Sequence, residues 1–339
     1  MGYFRQNLAM DLGSSNVYVC LERKGIVVKE PSVVAVRESK GEVVAIGKAA
    51  KDMVGKTDAE ISTVYPIRNG VISEYTITMN MIAYFLDRAI KNPIKRIFRP
   101  DVIAAIPCEI TSVEKRAVER ALKEAGAGRI FFVDSPLAAA VGAQLDISAP
   151  NGKMVVDIGG GITDIAVISF DGIVASCSVN AGGITFDEAI KNYFKREYKM
   201  VIGDATAEKI KMHNACAYRD IRVMPFEVSA TDLQSRMPVE RQVKPDELIK
   251  PLNEAILPIL DGIRSVLEKT PPELASDIFE RGILLTGGGA LLDGLDTLIS
   301  KATGINVMVA ERPQECVVVG AMKIFNSMSG DRKNEMMSQ

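Results

Sequence analysis

Histidine and closely spaced cysteines are nearly absent from this sequence of 339 residues. Because His213 is the single histidine, the sequence disfavours general-base chemistry by imidazole. The five cysteines are odd in number and contain no CxxC pair, which argues against a disulfide framework and against a Cys/His metal site. A catalytic Cys–His pair stays open on residue count alone, and the cysteine usage fits a reducing cytosol.

Strong net charge and long apolar runs are absent as well. The formal net charge is −2 and the isoelectric point is about 5.8, so no global basic field predicts nucleic acid as a partner. No apolar run reaches the roughly 18 residues of a membrane span, and the start of the chain lacks the apolar core of a signal peptide. These absences predict a cytoplasmic protein.

The composition that is present is that of a globular protein, 47% hydrophobic and 25% charged. It provides enough chain for two cores of roughly 150 residues each. Strand-like and helix-like stretches alternate, which indicates an α/β architecture. The clearest helix covers residues 111–127, where Thr111 and Glu114 have the spacing of a capping box and Val113 is placed on the apolar face.

A second helical pattern is interrupted by proline. Residues 245–274 have helical periodicity, yet Pro251 and Pro258 lie inside them. Because proline lacks an N–H and clashes with the preceding turn, both are expected to start, kink or divide the helix.

One internal repeat organises the chain. "LAMDLGSSNVYVCL" at residues 8–21 and "MVVDIGGGITDIAVI" at residues 154–168 share an apolar strand, Asp-x-Gly, a small turn and a second apolar strand. Asp11 and Asp157 are 146 residues apart, close to half of the chain. The repeat predicts two similar domains that each begin with the same hairpin.

The two turns have the chemistry of a phosphate site. Glycine lets backbone N–H groups approach a ligand closely, and successive N–H groups form a concave anion site. Asp11 and Asp157 cannot bind phosphate, but each can hold Mg²⁺ through water. Two such hairpins facing each other would grip the phosphates of a nucleotide from both sides. The alternative is a pair of plain β-hairpin turns.

A third glycine turn, "LTGGGALL", follows a predicted strand and precedes a predicted helix. Gly287, Gly288 and Gly289 would let the chain pass close to a flat ligand such as adenine. The turn matches neither GxGxxG nor GxxxxGK[ST], so the dinucleotide and P-loop fingerprints do not apply.

With these motifs, the sequence resembles the actin-like ATPase superfamily, and specifically the bacterial actin MreB family, over nearly the whole chain. The segments that carry the resemblance include "DLGSSNVYV", "GIVVKEPSVVAV", "VYPIRNGVISEY", "IPCEITSVEKRAV", "SPLAAAVGA", "MVVDIGGGITDIAVIS", "IGDATAEKIK" and "ERGILLTGGGALLDGLDTL". The resemblance implies an α/β, actin-like (ribonuclease H-like) fold with duplicated domains around a central nucleotide cleft. Domain I would be residues 1–145 plus 316–339, with a small subdomain at about 33–65. Domain II would be residues 146–315, with a small subdomain at about 184–244.

The resemblance also implies a site for ATP or ADP with Mg²⁺. Asp11 and Asp157 would hold the metal through water. Glu208 and Lys211 would reach the ribose and adenine region. The implied nucleotide contacts are Gly13, Ser14, Ser15, Asn16, Gly159, Gly160, Gly161, Ile162, Thr163, Gly182, Gly183, Glu208, Lys209, Lys211, Gly287, Gly288, Gly289, Ala290 and Leu291.

The sequence departs from the family pattern where hydrolysis would occur. Family members usually have a glutamate, placed to activate the attacking water, immediately before the proline of "PLAAAVGA". Here that position is Ser135, and serine is a poor general base at neutral pH. Asp134 precedes it, but neighbouring residues on a strand alternate in direction, so Asp134 can face the other way.

The second phosphate turn departs as well. The family usually has two threonines after the glycines, whereas this chain has Ile162 and Thr163. Ile184 also replaces a usual aspartate. Asp164 is expected to lie further out and to face solvent or polar neighbours. The residues together predict Mg-ATP binding with slow hydrolysis, and the candidate catalytic residues are Ser135, Thr163 and Asp134.

The resemblance implies a homopolymer of paired protofilaments on the inner face of the cytoplasmic membrane, where membrane-anchored cell-shape proteins are partners in cell-wall synthesis. Ile97 and Phe98 form an apolar pair among Lys95, Arg96 and Arg99, a pattern that suits an anionic membrane surface. The alternative is that the apolar pair packs into the adjoining domain.

Two other functions stay open. One is an ATPase or kinase of the same superfamily, but no clear acid for a sugar pocket is found, and a heat-shock chaperone would need a further peptide-binding domain. The other is a nucleotide-locked regulatory paralogue that co-assembles with an active bacterial actin. The altered hydrolysis residues are compatible with that role.

Overall fold

The frame of the protein is a pair of five-stranded sheets that have the same strand order. The structure is a computed structural model, and it describes residues 6–90, 98–219 and 224–328. The strands of the first half are β1 (Asn7–Leu12), β2 (Asn16–Leu21), β3 (Gly25–Pro31), β4 (Val34–Arg37), β5 (Glu42–Ile46), β6 (Ile61–Val64), β7 (Ile67–Arg68), β8 (Val71–Ile72), β9 (Asp101–Ile106) and β10 (Ile130–Asp134). Its helices are α1 (Lys48–Lys51), α2 (Tyr75–Ala89), α3 (Ser112–Glu124) and α4 (Ser135–Gly142).

The second half repeats the plan. Its strands are β11 (Lys153–Ile158), β12 (Thr163–Ser169), β13 (Gly172–Val179), β14 (Met200–Val201), β15 (Phe226–Asp232), β16 (Pro238–Val243), β17 (Ile283–Thr286) and β18 (Val307–Val309). Its helices are α5 (Gly183–Glu197), α6 (Asp204–His213), α7 (Asp246–Lys269), α8 (Pro272–Arg281) and α9 (Leu295–Thr303), and α10 (Cys316–Ser327) follows them.

The two large sheets have matching topology. The first runs β10-β9-β1-β2-β3 and the second β18-β17-β11-β12-β13. In each, the first three strands pair antiparallel, and the two later strands extend the sheet in parallel from its first strand, β1 or β11. Parallel pairing brings the carboxyl ends of these strands to one edge of each sheet. The internal duplication predicted from the repeat is therefore confirmed.

Two helices join the halves. Helices α4 and α10 share one apolar cluster with residues from both large sheets. They cross at two glycines, where a Cβ at Gly142 would lie 1.9 Å from the carbonyl oxygen of Cys316 and one at Gly320 would lie 1.8 Å from that of Ala138. Such an approach requires residues without a side chain. Helix α10 thus packs against the first sheet, while α4 packs against β11 and β12 of the second.

Smaller sheets flank the frame. One has the order β5-β4-β6 and carries α1, and its own small core contains Val33, Ala35 and Ala50. The other has the order β14-β15-β16 and packs against α5 through β14. A two-stranded sheet, β7-β8, also belongs to the first half. Each half thus combines a five-stranded sheet with a three-stranded one.

The predicted helix at residues 111–127 is confirmed as α3. Thr111 Oγ1 accepts the Glu114 N–H at 3.3 Å, and the Glu114 carboxylate accepts the Thr111 N–H at 2.9 Å, so the capping box is present. Val113 is 73% exposed, so its placement on the apolar face was wrong. The buried face of α3 consists of Val118, Ala121 and Leu122, which pack into the core of the first half.

The prolines do not divide the second predicted helix. Helix α7 runs without interruption, with Pro251 and Pro258 inside it. Its buried face, which includes Leu252, Ile256 and Ile259, packs in the core of the second half, and that burial offsets the two missing backbone hydrogen bonds. Within the described ranges, none of the helices combines the length and the apolar character that a bilayer crossing requires.

Candidate functional site

A cleft lies between the two halves, where the opening turns of both large sheets face each other. Its volume is about 300 Å³, at the lower limit of cavities that hold small organic ligands. The residues predicted for the site that line it are Asp11, Gly13, Ser14, Ser15, Asn16, Ser135, Asp157, Gly159, Gly160, Gly161, Ile162, Gly183, Glu208, Lys211, Gly287, Gly288, Gly289 and Leu291.

The β1–β2 turn and the β11–β12 turn interlock. A Cβ at Gly160 would lie 2.0 Å from Oγ of Ser15, and a Cβ at Gly161 would lie 2.8 Å from Oγ of Ser14. Ser14 Oγ also accepts the N–H of Gly70 at 3.1 Å. The serines of one turn therefore occupy space that the glycines of the other leave open. The contact fixes the separation of the two turns.

Thr163 does not reach the cleft. It is fully buried, and its Oγ1 donates to the carbonyl oxygen of Ala181 at 2.7 Å. Alternation along β12 explains this, because successive side chains of a strand point to opposite faces. The hydroxyl thus ties β12 to the segment before α5 and does not line the cleft.

Four other predicted contacts lie outside the cleft lining. Gly182 and Ala290 are buried behind the residues that follow them in the lining, and Lys209 is exposed on α6. Asp134 ends β10 and also lies outside the lining. Burial raises the pKa of Asp134, and the Lys115 ammonium opposes that rise.

Ser135 lines the cleft but its hydroxyl is engaged. Its Oγ donates to the carbonyl oxygen of Ile106 at 3.0 Å, at the end of β9. A hydroxyl that donates a hydrogen bond to a backbone carbonyl is held in one orientation. Its oxygen keeps only the weak basicity of a neutral hydroxyl, so it cannot serve as a strong base.

Three carboxylates stand at the floor of the cleft. Burial raises the pKa of Asp157 to about 7, with repulsion from Asp11 adding and the Thr286 hydroxyl opposing. Burial and repulsion from Asp164 raise the pKa of Asp11 to about 7. Burial raises the pKa of Asp164 to about 7 too, against the hydrogen bond from Ser178. Burial and mutual repulsion therefore disfavour three negative charges at this floor in the absence of a cation.

Asp164 was expected to lie further out and to face solvent or polar neighbours. The expected exposure to solvent is wrong. Its side chain is 2% exposed and lines the cleft, because β12 pairs it directly opposite Asp157 on β11. Its Oδ1 accepts the N–H of Cys108 at 3.2 Å and the hydroxyl of Ser178. Cys108 belongs to the first half, so this carboxylate also joins the two halves.

Ion pairs lie at the other end of the cleft. Lys51 of α1 and Glu208 of α6 form a salt bridge of 2.8 Å between the two halves. Burial lowers the pKa of Lys51, but Glu208 and Tyr65 raise it more, and the net direction is upward. Both side chains are about one-third exposed, so the pair contributes at most about 1 kcal/mol.

Lys211 is held beside the cleft by the second half. Its Nζ donates to the carbonyl oxygen of Gly183 and to Oδ2 of Asp187, both at 2.9 Å. Burial raises the pKa of Asp187 to about 6, and Lys211 opposes the rise. The other carboxylate oxygen of Asp187 is buried and has no hydrogen-bond partner among the residues that the structure describes. This orphaned acceptor adjoins Gly183, which lines the cleft.

The donor set at the floor fits Mg²⁺ held through water. Among the described residues, no three His, Cys, Asp or Glu side chains converge closely enough to ligate a metal directly. Asp11 and Asp157 face the same cleft from opposite halves and repel each other. Magnesium favours oxygen ligands and keeps several waters, so two carboxylates that face one cleft suit it.

The chain matches a known protein family over nearly its whole length. The profile of the family described as "MreB/Mbl protein" matches residues 5–333. The chain belongs to the MreB/Mbl family. It is 41% identical to "Cell shape-determining protein Mbl" of Bacillus subtilis over 96% of this chain and 97% of that protein. It is 42% identical to "Cell shape-determining protein MreB" of Escherichia coli over 98% of each chain.

Solved structures agree with the MreB/Mbl assignment. MreB5 of Spiroplasma citri, bound to AMPPNP, superposes with a TM-score of 0.91 at 33% identity over 99% of each chain. The MamK double helical filament superposes with a TM-score of 0.80 at 19% identity, over 96% of this chain and 100% of that chain. The MamK likeness shows the fold alone. The actin-like fold predicted from the resemblance is confirmed.

Sequence reasoning missed three features of this MreB/Mbl cleft. Asp187 was visible in the segment "FDEAI", but no pattern marks a buried oxygen without a partner. Asn69 and Gly70 form an Asn-Gly pair, a recognisable turn signal, and their backbone supports Ser14 and approaches Gly161. Lys51 could not be found, because its contact depends on how two distant helices meet.

Proposed function

We propose that this protein is an ATP-binding bacterial actin that polymerises into membrane-associated filaments and organises cell shape and cell-wall synthesis. The observation that carries the proposal is the cleft between two interlocked hairpin turns. Membership of the MreB/Mbl family supports it, as does the AMPPNP bound by a structural neighbour that is 33% identical.

The nucleotide's phosphates would lie between the turns. Backbone N–H groups of the glycine turn at residues 159–161 and hydroxyls of Ser14 and Ser15 are the donors that suit them. Asp11 and Asp157 would hold Mg²⁺ through water, and the metal when bound would neutralise phosphate charge.

The base and sugar would lie further along the cleft. Gly287, Gly288 and Leu291 line the cleft and would contact the flat base. Glu208 and Lys211 line it too and would reach the sugar. The domain division at residues 1–145 with 316–339, and 146–315, stays a proposal. The packing of α10 against the first sheet supports it.

We expect hydrolysis of ATP to be slow. The Ser135 hydroxyl donates to the Ile106 carbonyl, so it does not supply a base. Ile162 lines the cleft where a hydroxyl would help to orient water, and Ile184 adds no polar group. A Ser135→Glu variant should release phosphate about a hundredfold faster, the lower end of what a positioned base contributes. Wild-type phosphate release typical of an efficient ATPase would contradict the expectation.

Assembly is tested by light scattering and negative-stain microscopy. Wild-type protein with Mg-ATP should scatter strongly and show filaments, and the nucleotide-free protein should scatter weakly. Paired protofilaments are the expected form. Protein that binds ATP but stays monomeric under all conditions would contradict the filament function.

Membrane attachment has a separate test. Phe98 and Arg99 are exposed, while Ile97 lies outside the described residues. An Ile97→Ser, Phe98→Ser variant that still polymerises should sediment less with vesicles rich in anionic lipid. Unchanged sedimentation would remove the loop from the proposal. Attachment at the inner face of the cytoplasmic membrane, beside membrane-anchored cell-shape proteins, depends on this result.

A second candidate function is a regulatory paralogue that co-assembles with an active bacterial actin. The engaged hydroxyl of Ser135 favours it, because a protein that hydrolyses ATP slowly can stay in one nucleotide state. In the scattering assay, this candidate predicts no filaments alone and co-sedimentation with filaments of a hydrolysing relative.

A further inference from the structure

Four carboxylate side chains of the described chain line the cleft. They are Asp11, Asp157, Asp164 and Glu208. Asp11 and Asp157 are assigned to the metal water shell, and Glu208 is paired with Lys51. Asp164 alone among these four has neither a salt bridge in the described chain nor an assigned role.

The carboxylate of Asp164 is held in one orientation. Both of its hydrogen bonds, from Cys108 N–H at 3.2 Å and from the Ser178 hydroxyl, end on Oδ1. Ser178 Oγ is itself fixed, since it accepts the N–H of Glu109 at 3.3 Å. No described residue donates to Oδ2, and the side chain borders the cleft. The second oxygen is therefore the one free to meet a small molecule there.

Asp164 also lies close to the carboxylate that is assigned to the metal. It is the cross-strand partner of Asp157, and such pairs have Cβ atoms roughly 5 Å apart. It is anchored to Cys108, two residues after Ile106, whose carbonyl holds the Ser135 hydroxyl. Asp164 is thus the neighbour of the carboxylate assigned to the metal, and its anchor Cys108 lies two residues beyond the strand end that holds Ser135.

We propose that Asp164 is the catalytic residue that orients and deprotonates the attacking water, a task that Ser135 cannot perform. The inference rests on the proposed function, since it requires ATP in the cleft. It names the chain's own base for the slow hydrolysis expected above.

The step is a hydrolysis. The water oxygen forms a bond to the γ-phosphorus, and the bond from that phosphorus to the β–γ bridging oxygen breaks, with its electron pair leaving on ADP. The proton lost by the water passes to Oδ2 of Asp164 and then to solvent. The products are ADP, phosphate and that proton.

The test is phosphate release by the full chain with Mg-ATP, alongside titration with a fluorescent ATP analogue. Asp164→Asn keeps an oxygen for Cys108 and Ser178 but cannot take a proton. It should bind the analogue within about threefold of wild type and release phosphate at least about tenfold more slowly. The matched control is Asp261→Asn, the same change on an exposed side chain of α7, which should leave both unchanged.

A rescue separates catalysis from structure. Ser135→Glu added to Asp164→Asn should restore phosphate release, because a second carboxylate then faces the same water. Wild-type release by Asp164→Asn would overturn the inference, and so would a loss of binding that matches the loss of rate. Wild-type protein that binds ATP without any turnover would overturn it but leave nucleotide binding intact. Failure of wild type to bind ATP would instead defeat the proposed function.

Discussion

The two opening turns share a backbone plan but supply different groups. In both, an aspartate is the penultimate residue of the first strand of an antiparallel hairpin, and the paired strands have the same register around it. The first turn brings hydroxyls, from Ser14 and Ser15. The second, at residues 159–161, brings only backbone. Ser15 Oγ fills the space that a Cβ at Gly160 would need.

The difference teaches that the turns work as a complementary pair. If both carried serines they would collide, and if both carried glycines they would leave the cleft without hydroxyl donors. Duplication kept the frame, while the tips diverged into a donor turn and a backbone turn. Ile162, which follows the three glycines, adds no hydroxyl to the second turn either.

The largest effect is expected from filling the shared space. Gly160→Ala places a Cβ against both Oγ and Cβ of Ser15, which forces the turns apart. ATP affinity should fall at least tenfold, or about 1.4 kcal/mol, in a fluorescence titration. Adding Ser15→Gly should recover part of the loss. Gly172→Ala, where the nearest atom is 3.7 Å away, is the control, and equal losses in both alanine variants would refute the pairing.

An intermediate effect is expected at the aspartates. Burial raises the pKa of Asp157 in the folded state to about 7 from its ordinary pKa near 3.8. The stability that Asp157 contributes is therefore fully present below pH 3.8 and is lost as the pH rises through 7. Nucleotide-free wild type should therefore lose stability between pH 5 and pH 8, on the order of 1 kcal/mol relative to Asp157→Asn. Thermal unfolding at both pH values checks this, and parallel pH curves would contradict it.

The smallest effect is expected from adding a hydroxyl to the second turn. Ile162→Thr restores one hydroxyl to the backbone turn without a larger side chain. Phosphate release should rise by about twofold to fivefold, because one hydrogen bond contributes about 1 kcal/mol. ATP affinity should change little. A fall in release would show that the close approach of the Ile162 side chain to Gly70 matters more than the missing hydroxyl.

Much of this structure could be predicted from the sequence because it depends on local patterns. The repeat around Asp11 and Asp157 predicted the duplicated hairpins, and Thr111 with Glu114 predicted the start of α3. The glycine turns lie at the cleft as expected. What local patterns do not contain is the direction of a side chain after folding.

The errors have physical causes of that kind. Thr163 and Asp164 are neighbours on β12, so strand alternation sends one to the Ala181 carbonyl and the other to the cleft. Which of them faces the cleft depends on how β12 pairs with β11. Pro251 and Pro258 stayed inside one helix because tertiary burial outweighed their local cost.

The most direct measurement is a crystal structure of this protein with AMPPNP and Mg²⁺. The central claim is that the two interlocked turns grip the phosphates of one nucleotide. We predict a triphosphate between Ser14–Asn16 and residues 159–161, with the metal's waters on Asp11 and Asp157. A nucleotide bound with its phosphates outside the two turns, or a cleft without nucleotide at saturating concentration, would contradict the claim.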